Sequence, residues 1–170
     1  MSVAVYPGSF DPVHYGHLDI ASRAAALFDR VVIGVYDRPS KDLFFSLDER
    51  VSLMRIAVAS FSNVVVVPYS GLTVSFARKH GARVIIRGLR VPHDFEYEYQ
   101  MALTNRKLDP AIDTLCLMTG LEYAFLSSTI VKDIARAGGN VSCMVPRHVA
   151  EALRERLQGH GEPMVEGGGS

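Results

Sequence analysis

Five short runs along the chain are almost continuously apolar and rich in β-branched residues: 3–6, 31–36, 64–67, 84–86 and 114–118. None alternates cleanly between apolar and polar positions. That pattern predicts strands covered on both faces, as in a parallel sheet. Between the runs, apolar residues return at helical spacing. In 16–28, Leu18, Ala21, Ala25 and Phe28 share one face. Segment 47–60 opens behind Ser46 with Glu49 three residues on, the signature of a capping box. Segment 73–80 stops at Gly81, a residue suited to close a helix, and 94–108 stops before Pro110. Segment 127–137 pairs Ile130 with Ile134 and ends at Gly138-Gly139, and 146–157 begins with Pro146 in its first turn. Strand and helix alternate about five times before a final helix. The order predicts a single α/β domain over residues 1–158, Rossmann-like and doubly wound, on a five-stranded parallel sheet. The Gly-rich end, 159–170, is predicted to be a flexible tail.

Composition narrows the possibilities. Hydrophobic residues are 48% and charged residues 21% of the 170, which excludes a disordered chain. Eighteen basic residues balance eighteen acidic ones, so a nucleic-acid-binding protein is disfavoured. A local basic pocket is still allowed. Cys116 and Cys143 form no C-x-x-C pair and are expected in apolar surroundings, which argues against a disulfide framework or a structural zinc site. No basic leader and no run of about 18 apolar residues is present, so the chain is expected in the cytoplasm and off the membrane.

In an open α/β sheet, ligands bind beyond the carboxyl ends of the strands. The segments there are unusually polar. The first run leads to Gly8-Ser9-Phe10-Asp11-Pro12 and His14-Tyr15-Gly16-His17, and the second to Pro39-Ser40-Lys41. The third leads to Thr73, the fourth to Arg87-Gly88-Leu89-Arg90, and the fifth to Tyr123 through Thr129. Two helix starts, with His17 on one and Ser127, Ser128 and Thr129 on the other, offer free N–H groups to an anion. Arg87 and Arg90 add planar guanidiniums and Lys41 a point charge. Taken singly, Ser127 is a helix cap, Arg87 a solvated charge and His17 a packed histidine. A polyphosphate site follows only if they converge. The Walker motif G-x-x-x-x-G-K-[ST], the dinucleotide fingerprint G-x-G-x-x-G after the first strand, H-E-x-x-H and G-x-S-x-G are all absent.

The H-x-G-H of residues 14–17 behind Gly8-Ser9-Phe10-Asp11-Pro12 resembles the nucleotidyltransferase superfamily. Pro39-Ser40-Lys41, Ile86 through Arg90, Asp94 through Glu98 and Phe125 through Lys132 narrow the likeness to bacterial phosphopantetheine adenylyltransferases, over about residues 3–157. The resemblance implies transfer of the adenylyl group of ATP to 4′-phosphopantetheine, giving dephospho-coenzyme A and pyrophosphate. It implies His17 as the catalytic residue. On the ATP side it implies Ser9, Phe10, His17, Gly88, Leu89, Arg90 and Glu98, with Tyr123, Ala124, Phe125, Leu126, Ser127, Ser128 and Thr129. For the acceptor it implies Ser9, Lys41, Thr73 and Arg87. Mg²⁺ is implied as bound mainly through ATP phosphates, with no metal-binding residue nominated. A homohexamer is implied, and inhibition by coenzyme A is a further expectation. The loop Thr119-Gly120-Leu121-Glu122 and Tyr123 depart from the family's pattern on the adenine side. Rival readings are a nucleotidyltransferase acting on another phosphorylated acceptor and a nucleotide sensor without turnover.

Overall fold

The structure is a computed structural model that describes residues 1–40 and 42–158, with the backbone alone of His93. Lys41 and the predicted tail 159–170 lie outside the described residues. Among the described residues, five parallel strands form one sheet: β1 (Val3–Gly8), β2 (Arg30–Tyr36), β3 (Val64–Tyr69), β4 (Val84–Leu89) and β5 (Asp113–Met118). Their order is β3-β2-β1-β4-β5. The helices are α1 (Tyr15–Leu27), α2 (Leu47–Ala57), α3 (Thr73–Lys79), α4 (Pro92–Leu108), α5 (Ser128–Arg136) and α6 (Arg147–Gln158). The predicted elements are all present, with ends shifted by one to three residues where terminal turns fray. The Ser46 hydroxyl accepts from the Glu49 amide at 3.3 Å while the Glu49 carboxylate accepts from the Ser46 amide at 2.7 Å, closing the box that starts α2. Gly81 follows α3 at φ +68°, a conformation with no Cβ penalty only for glycine.

Successive residues of the central strands enter opposite layers, as the pleat demands. Ala4, Tyr6, Val31, Ile33, Val35 and Ile86 pack with Ile20, Ala24, Met54, Val131 and Leu153 from α1, α2, α5 and α6. Val5, Val32 and Ile85 pack on the other face with Val74, Phe76 and Ala77 from α3. The expectation of strands covered on both faces holds for β1 and β2 and fails at the edges. Val65 of β3 is 37% exposed, and Leu115 and Met118 of β5 are 36% and 75% exposed. An edge strand has one neighbour, and α4, which packs against β5, leaves Leu115 and Met118 open. The expectation of apolar surroundings for the cysteines is corrected too: Cys116 is exposed because it lies on this edge strand, and Cys143 because it lies in the connection between α5 and α6.

The chain winds outward from β1 to β3, then crosses back to β4 on the other side of β1. The crevice between β1 and β4 is therefore the switch point of the sheet. Their pairing covers Ala4 with Val84 and Val5 with Ile85, so the carboxyl-terminal halves of both strands diverge. That divergence opens the cleft described next.

Candidate active site

Beyond β1 the chain turns sharply. Phe10 has φ +49°, a left-handed conformation unusual for a side-chain-bearing residue. It is held there by packing: its buried ring meets Tyr6 edge-on at 5.4 Å and His17 edge-on at 5.0 Å. A Cβ on Gly8 would lie 2.7 Å from the tip of the Phe10 ring, so glycine is what lets this ring fold back over the strand end. Arg50 of α2, wholly buried, fixes the same turn from behind by donating to the Ser9 and Tyr36 carbonyls at 2.8 Å each and to the Phe45 carbonyl at 3.2 Å.

His14 and His17 stack at 3.6 Å at the start of α1. The His14 amide donates to His17 Nδ1 at 3.2 Å. A neutral His17 therefore carries its proton on Nε2. Burial, with a smaller contribution from the charge of Arg90, pushes His14 down to about 3, so it stays neutral through the physiological range. At the start of α5, the Ser127 hydroxyl caps the Ile130 amide at 3.1 Å, and the Ser128 hydroxyl donates to the Pro12 carbonyl at 2.9 Å. Two helix N-termini thus open at the cleft and turn the positive ends of their dipoles toward it.

Arg87 and Arg90 leave β4 toward the same space. Arg87 donates twice to Glu98 at 2.7 Å and once to the Pro7 carbonyl at 2.9 Å. The paired Glu98 carboxylate outweighs burial and raises the Arg87 pKa, so the guanidinium is permanently charged. Arg90 donates twice to Asp94 at 3.0 Å and once to the Leu126 carbonyl at 2.8 Å.

These groups line two adjoining cavities. One, of about 320 Å³, collects Phe10, His14, His17, Arg90 and Ser127 through Thr129. The other, of about 530 Å³, runs past Tyr36, Tyr69, Leu72, Thr73 and Met101. Pro7, Gly8, Ser9, Arg87 and Glu98 border both. The site therefore accommodates two ligands that meet over the end of β1, with cations and helix dipoles at the meeting point.

The family of cytidylyltransferase-like proteins matches residues 5–134. A phosphopantetheine adenylyltransferase of Desulforudis audaxviator is 51% identical over 95% of this chain and 99% of its own length. One from Gloeobacter violaceus is 55% identical over 92% of this chain and 98% of its own. The chain belongs to the phosphopantetheine adenylyltransferase family. In fold it is similar to a solved chain from Vibrio parahaemolyticus, provisionally described as a nicotinate-nucleotide adenylyltransferase. That chain aligns with a TM-score of 0.66 at 18% identity, over 91% of this chain and 99% of its own length.

For a phosphopantetheine adenylyltransferase, the sequence-predicted residues fall as follows. Ser9, Phe10, His17, Gly88, Arg90, Glu98, Ser127, Ser128 and Thr129 line the smaller cavity. Thr73 lines the larger one, and Ser9 and Arg87 border both. Leu89, Tyr123, Ala124, Phe125 and Leu126 line neither; Leu126 is buried and meets the site through its carbonyl, which Arg90 holds. Lys41 lies outside the described residues. Sequence reasoning gave no role to Arg50 or to the buried pair Asp11–Lys132. A signal for Arg50 existed: with Leu47 and Met54 it occupies i, i+3, i+7 positions on the apolar face of α2.

Among the described residues, no three His, Cys, Asp or Glu side chains converge so as to hold a metal ion. The cleft carboxylates Glu98 and Asp94 are each engaged by an arginine. These residues build no cage for a resident ion.

Proposed function

We propose that this chain transfers the adenylyl group of ATP to 4′-phosphopantetheine, giving dephospho-coenzyme A and pyrophosphate, a step of coenzyme A biosynthesis. One observation carries the reading: two cavities meet at Ser9 and Arg87, as two anionic substrates require. Relatives about half identical over nearly their whole length carry the corresponding name.

ATP lies in the smaller cavity, its phosphates against the amides that open α5 and against Arg90. The adenine end extends toward Leu89 and the segment 123–126. The elongated acceptor lies in the larger cavity along Leu72, Thr73 and Met101, its phosphate held by Arg87, Ser9 and Lys41. An oxygen of that phosphate attacks the α-phosphorus of ATP. The new P–O bond forms as the bond to the β-phosphate oxygen breaks, and pyrophosphate leaves with the bonding electrons. The acceptor is already a competent nucleophile, so alignment and charge stabilisation suffice. The Nε2–H of His17 donates to an α-phosphate oxygen as charge builds there. A divalent cation accompanying ATP would supply screening of phosphate charge, and no side chain of this protein is assigned to hold it.

We further propose a cytoplasmic homohexamer inhibited by coenzyme A, which shares the acceptor's arm. Exposed Tyr97, Tyr99 and Leu103 of α4, with Leu115 and Met118 of β5, support self-association. No helix among the described residues is long and apolar enough to cross a membrane. Incubation with ATP, Mg²⁺ and 4′-phosphopantetheine should yield dephospho-coenzyme A by mass detection. ATP binding without product would refute the activity. Sedimentation at a mass other than six chains would refute the hexamer.

A further inference from the structure

Three charged side chains are buried just behind the two cavities and line neither: Asp11, Arg50 and Lys132. Burying charge is costly unless partners are complete, and here they are. The Asp11 carboxylate is 0% exposed and accepts from the Phe44 amide, the Phe45 amide and Lys132 Nζ, each at 2.9 Å. It therefore joins three segments: the turn after β1, helix α5, and the chain just before α2.

Each segment belongs to a different part of the site. Lys132 stands one turn beyond Ser128, on the same side of α5, and Ser128 itself is tied to Pro12. The first turn of α5 is thereby registered against the turn carrying Ser9 and Phe10. Phe44 and Phe45 end the connection from β2, whose beginning Arg50 holds through the Tyr36 carbonyl. Arg50 also holds the Phe45 and Ser9 carbonyls, so this connection and the turn after β1 are pinned together.

We propose that Asp11 and Lys132 are positioning residues for adenylyl transfer. Lys132 fixes the Asp11 carboxylate, and that carboxylate sets the nucleotide-side helix start and the acceptor-side connection relative to the turn between them. Neither touches a substrate. The kinetic half rests on the proposed activity; the structural half does not.

The test compares Lys132→Met, which keeps the side chain's bulk, with Lys132→Arg, which keeps the charge. Amide hydrogen exchange is followed at Phe44 and Phe45, with Val5 and Val32 of the central strands as references. In K132M, exchange at Phe44 and Phe45 should rise about tenfold or more while the references hold, the mark of local release. In the same variant kcat should fall about 10²-fold, with both KM values within about threefold of wild type, because alignment rather than binding is lost. K132R should restore most of both. Asp11→Asn combined with K132M should be no worse in kcat than the more damaging single variant, as expected of groups acting as a unit.

Unchanged exchange at Phe44 and Phe45 in K132M would overturn the proposal. So would a K132R as impaired as K132M, since the charge would then be irrelevant. Loss of protection at Val5 and Val32 as well would overturn it too, by making Lys132 a determinant of the whole fold. If the wild-type chain makes no dephospho-coenzyme A, the activity is refuted instead, and exchange alone decides the tie.

Discussion

Replacing Arg87 by alanine separates what this side chain holds from what it binds. Its guanidinium satisfies Glu98 at two 2.7 Å contacts, and Glu98 is only 7% exposed. Truncation strands a carboxylate in the cleft wall. Stranding one member of a fully buried pair costs about 3–5 kcal/mol. The Arg87 side chain is 30% exposed, so water reaches the pair and the expected cost is lower, about 2–3 kcal/mol. In a domain of this size that corresponds to a fall in Tm of roughly 4–12 °C. Adding Glu98→Gln removes the stranded charge, so R87A/E98Q should recover most of the lost Tm. The acceptor KM should not recover, because the acceptor phosphate lacks its guanidinium in both variants. A charge-assisted contact of about 1.5–3 kcal/mol corresponds to a KM increase of roughly 10- to 150-fold. Thermal melts and steady-state rates with 4′-phosphopantetheine varied at saturating ATP give both readouts. Return of the acceptor KM to the wild-type value in the double variant would refute the contact and leave Arg87 a purely structural role. An undiminished Tm in R87A would refute the desolvation argument.

Three further outcomes follow from the same geometry. His17→Ala should lower kcat by about 10²–10³-fold, the scale of one preorganised donor, while calorimetry shows ATP affinity little changed; wild-type turnover would remove His17 from the mechanism. His14 is held down to about 3 by burial, so between that value and its ordinary 6.5 the unfolded chain takes up a proton that the native chain refuses. Its share of the stability is therefore whole above about pH 6.5 and falls by about 2 kcal/mol by pH 5; urea melts should show His14→Gln losing less on acidification, and equal slopes would count against it. Gly8→Ala drives a methyl group into the Phe10 ring, costing about 1–3 kcal/mol of stability, and should lower kcat as well because Phe10 packs on His17; a melt and a turnover assay check both.

The fold was legible where burial and position agree. β1 and β2 read as doubly covered because each has a strand on both sides, and Ala4 and Val5 of β1 and Val31 to Ile33 of β2 are indeed 0% exposed. The same reading misplaced β5, because an apolar run reports that a surface avoids water, not that this chain covers it. Leu115 and Met118 have the composition of a core and the position of an edge. The cleft was legible because parallel strands bring their carboxyl ends to one rim, so His17, Arg87, Arg90 and Ser127 had only one place to gather. What was not legible is the layer behind them. Asp11 and Lys132 look like solvated charges in a linear sequence, Arg50 shows only its place on the apolar face of α2, and their partners are largely backbone amides and carbonyls whose positions depend on the turn at Phe10. The tautomer of a neutral His17 depends equally on a backbone N–H, that of His14.

Both cleft arginines are already committed before any ligand arrives, Arg87 to Glu98 and Arg90 to Asp94. Two guanidiniums and two carboxylates cancel, so the cleft is not a deep well for anions. This costs affinity and brings orientation: each guanidinium loses its rotamer freedom in folding rather than in binding, and presents its remaining face in one direction. For transfer between two bound anions that is the better arrangement. Uniformly tight phosphate binding would lower KM without accelerating the step, and would retain pyrophosphate afterwards. The stabilisation then has to come from groups that meet charge only where it develops. In the proposed mechanism those are N–H donors, namely His17 Nε2 and the amides that open α5. The neutral state of His14, the glycine that admits Phe10, and the buried carboxylate behind the turn all serve to aim those donors rather than to add charge.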